Sequence, residues 1–212
     1  MGKCWVRDLE WCPMNLEDYR VVFSAVGLIG VLLFTSPALS LVVHLPGGEK
    51  FSELYILGPG HMASDYPLDV SADESYMVYL GVGNHLGSSA CYGVIVKFRN
   101  QSEPLPNSTS GVASPLESLY EYRVFLEDGK SWEAPLTFSF LDVRFSENQS
   151  LIEGMMINGV EFNVDKAASW DVNGTGYYYQ IFFELWLYDA KADLMQFHNR
   201  FVDLWLNMTA PV

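Results

Sequence analysis

Basic residues, cysteines and histidines are all scarce in this chain. There are 12 lysines and arginines against 26 acids, three cysteines and four histidines in 212 residues. The formal net charge of −14 repels phosphate backbones, which argues against a nucleic-acid partner. Cys4 and Cys12 precede a long uncharged run and Cys91 follows it, so no disulfide is expected in the C-terminal part. The spacing of Cys4 and Cys12 is not that of a zinc or redox pair, and free thiols are the plainer reading. Also missing are a G-x-S-x-G elbow, an H-E-x-x-H pair, a glycine-rich phosphate loop and a G-x-G-x-x-G turn. His44, His61, His85 and His198 stand far apart in sequence. A site assembled from His61, Asp65 and His85 is weaker than a surface or turn role for each. Asp171 to Gly176 has alternating oxygen side chains but lacks the later acidic ligands of a calcium loop. No catalytic residue, metal ligand or cofactor is assigned.

What is present begins with the uncharged run itself. No charged residue occurs from Val21 to Val43, and about 20 apolar residues suffice to cross a bilayer as a helix. Pro13, Asn15, Glu17 and Asp18 mark a helix start. A cleaved signal peptide would have a shorter apolar core and a less acidic leader, so a retained anchor is the reading. Lys3, Arg7 and Arg20 precede the run and only Lys50 follows closely, which places the N-terminus in the cytoplasm. Val6 occupies the position where N-myristoylation requires serine or threonine. Gly27, Gly30 and Ala38 offer small surfaces for helix packing.

Beyond the run, apolar residues recur with period two, and the breaks fall at glycine, proline, asparagine and aspartate. Tyr76 to Leu80 reads as one strand. In the next, Tyr92, Val94, Val96 and Phe98 share a face opposite Cys91, Lys97 and Arg99. Gln101 to Leu119 is rich in serine and proline and reads as an exposed loop. A strand from Tyr120 to Phe125 and a turn at Asp128-Gly129 lead into Trp132 to Phe145, suggesting two adjacent antiparallel strands. Near the end, Tyr179, Ile181, Phe183, Leu185 and Leu187 share one face, and the partner strand places Val202, Leu204, Leu206 and Met208 together. Tyr178, Phe182, Trp186, Phe201 and Trp205 then fall on the outer faces of these two strands. Either both faces are covered or the aromatic face docks a partner, and both readings stand open.

Five N-x-S/T sequons, at Asn100, Asn107, Asn148, Asn173 and Asn207, all follow the uncharged run and point to N-linked glycans on an exported surface. Asn207 lies on the face opposite Leu206 and Met208, where a sugar would need to be.

Several segments resemble a known family. Phe51-Ser-Glu-Leu-Tyr-Ile-Leu-Gly-Pro-Gly60, Asp65-Tyr-Pro67, Gly81-Val-Gly-Asn-His85, Trp132-Glu133, Leu185-Trp-Leu-Tyr188 and Leu204-Trp-Leu206 are similar to the archaeal membrane-protein domain of unknown function 1616. The resemblance implies an extracellular β-sandwich, a membrane setting and an archaeal source, and it brings no catalytic residues. Members often carry several membrane helices before the domain, where this chain has one candidate.

The expected organisation is a cytoplasmic tail over 1–20, a transmembrane helix over 21–44 and an extracellular domain over 45–212. That domain is expected to be mainly β, an antiparallel Ig-like sandwich, with a jelly roll or small barrel as the alternative. The expected function is a non-enzymatic, single-pass cell-membrane protein, an accessory or structural subunit working with other membrane or envelope proteins. The alternative is an extracellular binding module for glycan or a soluble ligand.

Overall fold

The computed structural model describes residues 16–42, 49–172 and 175–209, and the chain divides into two compact units, Met1–Gly48 and Glu49–Val212. In the first unit Leu16–Val42 forms helix α1, about 40 Å long at about 1.5 Å per residue. Val21, Phe23, Val26, Leu28, Ile29, Val31 and Phe34 are all exposed. They are spread round the whole helix instead of lining one stripe. Side chains of α1 are described at 19–32 and 34. Among the described residues no helix is long and apolar enough to cross a membrane. Asn15, expected as a helix cap, lies outside the described residues, as do His44, Cys4 and Cys12.

The second unit is built of ten strands: β1 (Phe51–Leu57), β2 (Asp69–Val70), β3 (Tyr76–His85), β4 (Ala90–Asn100), β5 (Tyr120–Leu126), β6 (Ser131–Ser146), β7 (Gln149–Ile157), β8 (Val160–Ser169), β9 (Tyr177–Asp189) and β10 (Leu194–Met208). They form two five-stranded sheets, ordered β1-β3-β6-β7-β8 and β2-β10-β9-β4-β5. Every pairing is antiparallel except the short β2, which runs parallel to β10. The domain is therefore mainly β, with one antiparallel and one mixed sheet.

Period-two alternation sends one face of each sheet into a shared core. Val78, Leu80, Val82, Leu136, Phe138, Phe140 and Ile152 come from the first sheet. Val94, Val96, Phe98, Ile181, Phe183, Leu185 and Leu206 come from the second, and all are buried. Each such side chain contributes about 1.5–3 kcal/mol when withdrawn from water. Phe98 stacks on Tyr179 and meets Phe140, each at 5.5 Å between centroids, so the rings of the two sheets interlock. Two core tyrosines carry hydroxyls that need partners, and a serine of the opposite sheet meets each. Ser52 lies 2.8 Å from Tyr92 and Ser150 lies 2.7 Å from Tyr179.

The turn at Asp128-Gly129 corrects the expectation of a hairpin. β5 and β6 belong to different sheets, and the turn carries the chain from one to the other. Asn84 determines this, being wholly buried near the end of β3. Its backbone N–H donates to Lys130 O at 2.9 Å and its carbonyl accepts from Gly129 N–H at 2.7 Å. Its side-chain Nδ2 donates to Ser88 O at 2.9 Å and to Leu126 O at 3.0 Å. Oδ1 accepts from Leu86 N–H at 3.1 Å and from the Tyr92 hydroxyl at 3.0 Å. One side chain thus satisfies backbone groups at both the β3–β4 and the β5–β6 crossings. Nearby, Gly81 is glycine because the Tyr55 ring of β1 lies flat across it: an added Cβ would sit 2.0 Å from Tyr55 Cε2.

Replacing Asn84 with alanine orphans several buried groups at once, each worth about 1–3 kcal/mol. The Asn84→Ala chain should lose roughly 3–5 kcal/mol of stability by denaturant titration, and Tyr92→Phe about 1 kcal/mol. An Asn84→Ala variant within about 0.5 kcal/mol of the parent would remove Asn84 from this role.

Candidate functional site

The candidate site lies on the outer face of the second sheet, for which the sequence leaves a covered face and a partner-docking face both open. Register places Arg99 beside Gln180, Lys97 beside Phe182 and Ile95 beside Glu184 across β4 and β9. It also places Gln180 beside Trp205 and Phe182 beside Asp203 across β9 and β10. Lys97, Arg99, Gln180 and Glu184 are nevertheless buried, Glu184 with no exposed surface at all. The segment 101–119, expected to be an exposed loop, lies over them with Pro106 and Ser114 buried. The segment is a loop, exposed over 107–112 as expected, but it closes at Pro106 and Ser114 over the buried groups, and the reason is electrostatic: a charge taken from water must be paired and hydrogen-bonded.

The pairing is built around Glu184. Lys97 Nζ lies 3.0 Å from its Oε2, and the Trp186 indole N–H donates to the same oxygen at 3.1 Å. Ser114 N–H donates to Oε1 at 2.7 Å, while Lys97 Nζ also donates to Ser114 O at 2.7 Å. Further along the face, Arg99 Nε donates to Gln180 Oε1 at 2.6 Å, and Gln180 Nε2 donates to Asp203. Arg99 also reaches the Glu103 carbonyl, and Glu103 takes a bond from Lys166 of β8. Burial pulls the Arg99 guanidinium below its ordinary pKa, with Asp203 and Glu103 acting against that pull. The segment 101–119 is a strap tied down at both ends by charged groups.

The five aromatics singled out for partner docking do not make one continuous patch. Phe182 is fully buried, Tyr178, Trp186 and Phe201 are half-buried, and Trp205 is 42% exposed. Arg99 lies over the Trp205 ring at 5.6 Å, a cation–π contact. β9 is a central strand with much of both faces covered, so the covered reading holds at Phe182. Beside Trp186 a cavity of about 260 Å3 opens, lined by Ile95, Leu116, Trp186 and Met195, with Glu121 and Arg123 at the edge strand β5. No single-sequence signal marks this cavity, because its residues come from four separate segments.

The histidines separate into different surroundings. His61 Nδ1 lies 3.2 Å from Glu133 Oε2, and its ring is 3.8 Å from that of Tyr79. The Tyr55 hydroxyl donates to Glu133 Oε1 at 2.9 Å. Burial first, then Glu133, pushes the Tyr55 phenol up to about 12. His85 instead stacks on Phe51 at 4.6 Å and sits 3.6 Å from Glu53. His61, Asp65 and His85 are not brought to one centre. Among the described residues no group of three or more histidine, cysteine or acidic side chains could hold a metal ion. His198 reaches Ser52 Oγ at 3.0 Å, a serine–histidine pair invisible in the sequence. Ser52 is 1% exposed and also bonded to Tyr92, so its hydroxyl is committed to the interior. Burial, and then Arg200, lower the His198 pKa.

The sequons also differ from one another. Asn107 and Asn148 are exposed, Asn107 accepting only local turn bonds from Thr109 and Ser110 through Oδ1. The Asn100 amide Nδ2 donates to Ala167 O at 3.0 Å, and its Oδ1 accepts from Ser102 and Glu103. The Asn207 Nδ2 donates to Asp69 at 3.0 Å, and its Oδ1 is buried against Gly176 without a partner. Asn173 lies outside the described residues.

Residues 45–149 match the family described as "Domain of unknown function (DUF1616)". The match takes in β1 to β6 and ends at the β6–β7 turn, so Leu185–Tyr188 and Leu204–Leu206 lie beyond it. No curated protein matches the chain. Among solved structures, a mutant β-glucosidase from Listeria innocua in complex with laminaribiose is 10% identical at a TM-score of 0.41, covering 77% of this chain and 16% of that one. The complex of zinc 2-glycoprotein and prolactin inducible protein from human seminal plasma is 10% identical at 0.35, covering 78% of this chain and 99% of that one. A calcium-binding mutant of Bacteroides uniformis β-glucuronidase 2 reaches 0.32 at 10% identity, over 73% and 13%. The chain thus spans a small part of both glycosidases, and likenesses this slight carry no argument about it.

Two outcomes test this geometry. Lys97→Met leaves Glu184 buried without its cation and should cost about 3–5 kcal/mol, whereas Lys97→Met with Glu184→Leu should cost less than the two single changes together. Limited proteolysis within 101–119 should quicken in the single variant, and an unchanged rate would detach the strap from the pair. Exposure of the folded chain to an oligosaccharyltransferase should modify Asn107 and Asn148 and spare Asn100 and Asn207. Peptide mass mapping that finds sugar on native Asn207 would contradict its packing.

Proposed function

Residues 45–149 belong to the DUF1616 family, and from the helix that precedes them we propose that the chain is a non-enzymatic, single-pass membrane protein of the cell surface, an accessory subunit of a membrane or envelope assembly. The observation that carries this reading is the all-round apolarity of α1. A helix packed on a soluble domain shows an apolar stripe and a polar face, whereas one that is apolar all round belongs in a membrane or a large core. Val21, Phe23, Val26, Leu28, Ile29 and Val31 are exposed within one short stretch, and the uncharged sequence continues to Val43. The basic residues Lys3, Arg7 and Arg20 before the run, against Lys50 alone close behind it, support an N-terminus inside and the domain outside.

The domain itself we read as Ig-like. The orders β1-β3-β6 and β10-β9-β4-β5 correspond to A-B-E and G-F-C-C′ of that fold. In place of a D strand, the β7–β8 hairpin follows β6. A non-catalytic role is supported by the commitment of its reactive side chains: Ser52 is buried between Tyr92 and His198, and Glu133 is held by Tyr55 and His61. A second reading, an extracellular binding module, is favoured by one observation, the cavity beside Trp186.

The full chain, tagged at its C-terminus and isolated from native membranes, tests the first reading. It should remain in the pellet after an alkaline carbonate wash and bring down membrane proteins in fixed proportion from mild detergent. Release by carbonate would refute the anchor. Recovery of the chain alone would refute the subunit role and leave the binding module.

A further inference from the structure

The cavity beside Trp186 has a chemistry of its own. Across the β4–β9 ladder Gly93 pairs with Trp186, and three side chains converge over this glycine. A Cβ added there would lie 2.9 Å from Met195 Cε, 3.5 Å from Glu121 Oε1 and 3.7 Å from Trp186 Cβ. The missing side chain lets Met195 lie across the strand here, beside Trp186 in the cavity wall. Trp186 is fixed by its N–H bond to Glu184 at 3.1 Å and by Phe197, whose ring lies 6.1 Å away. With its only donor committed, the indole offers the cavity apolar ring surface.

The charges round the cavity cancel. Lys97 is matched by Glu184 at 3.0 Å and Arg123 by Glu121 at 2.6 Å, so this is a neutral spot on a chain of net charge −14. An anion would meet two carboxylates and a cation would find neither of them unpaired. What remains are planar donors and acceptors, Arg123 and Glu121, standing at the rim beside an aromatic surface. The volume, about 260 Å3, falls just below the roughly 300–1,000 Å3 of sites for larger organic ligands. An apolar ring surface, a neutral field and paired planar hydrogen-bonding groups match a ring with one apolar face and vicinal hydroxyls on its edge.

We propose that this cavity binds a neutral pyranose ring, stacked on Trp186 with its hydroxyls bonded by Glu121 and Arg123. The proposal rests on the binding-module reading and names its ligand class. It involves neither Trp205 nor the Tyr55–His61–Glu133 cluster.

The test uses the full chain in detergent with the methyl glycosides of glucose, galactose, mannose and N-acetylglucosamine as probes, read by saturation-transfer NMR and tryptophan fluorescence. At least one should bind with a dissociation constant of about 1 mM, as suits a single exposed ring. Trp186→Ala should weaken it by roughly tenfold or more, Trp186→Phe should keep most of it, and Trp205→Ala, on the same face but outside the cavity, should leave it unchanged. Thermal unfolding of each variant separates lost binding from lost fold. Failure of all four glycosides with the parent chain would overturn the saccharide assignment, and loss of binding in Trp205→Ala equal to that in Trp186→Ala would overturn the site. If another ligand class binds while the sugars fail, the binding-module reading survives and this one does not.

Discussion

Asn84 is the constraint on which the sandwich depends. A chain that moves between two sheets must leave its ladders at each crossing, and the backbone groups freed there need partners once buried. Asn84 meets this need at two crossings at once, bonding Ser88 and Leu86 on one side and Leu126, Gly129 and Lys130 on the other. Through Tyr92 it extends to Ser52 and His198, a polar chain that runs through one end of the domain and joins both sheets. The motif Gly81 to His85, which carries part of the family resemblance, is accounted for by these demands. Gly81 accepts the Tyr55 ring, and Asn84 fixes the crossings.

With the inner faces fixed by the core, the two outer faces are finished by different means. On the first sheet, Tyr55 lies across Gly81 and its hydroxyl donates to Glu133 at the surface. The second sheet instead buries four polar side chains, and a strap is laid across them. Such pairs add little net stability, because desolvation offsets most of the attraction, but breaking one costs several kcal/mol. Their effect is therefore to fix where the strap lies. A strap of serine and proline with few apolar residues has little else to hold it.

The parts legible in the sequence were those that period-two alternation governs. Tyr179 to Leu187 and Val202 to Met208 predict their faces and their pairing, and the core follows from them. Alternation cannot say whether the second face is covered. The charges at Lys97, Arg99 and Glu184 would by themselves suit a wet face, and the aromatics among them, Phe182 above all, were the signal that left a covered face and a docking face both open. The Asp128-Gly129 turn has the composition of a hairpin, yet its partner is Asn84, more than forty residues away, and no local pattern carries that information. The Ser52–His198 pair joins the two ends of the domain and is equally out of reach. The same is true of the sequons: Asn207 sits on the outward-facing side of its strand, but Asp69 and Gly176 close over its amide.

Glu184 joins the strap to the cavity. Its two oxygens serve different elements: Oε1 takes the Ser114 N–H from the strap, while Oε2 takes Lys97 and the Trp186 indole. A carboxylate so placed cannot turn to improve one set of bonds without lengthening the other, so the positions of strap and indole are set together. Leu116, two residues beyond Ser114, forms part of the cavity wall, and a strap lifted from Glu184 would take that wall with it. The buried charge, which contributes little net stability, thereby makes the cavity's shape depend on a segment that sequence composition alone marks as loose.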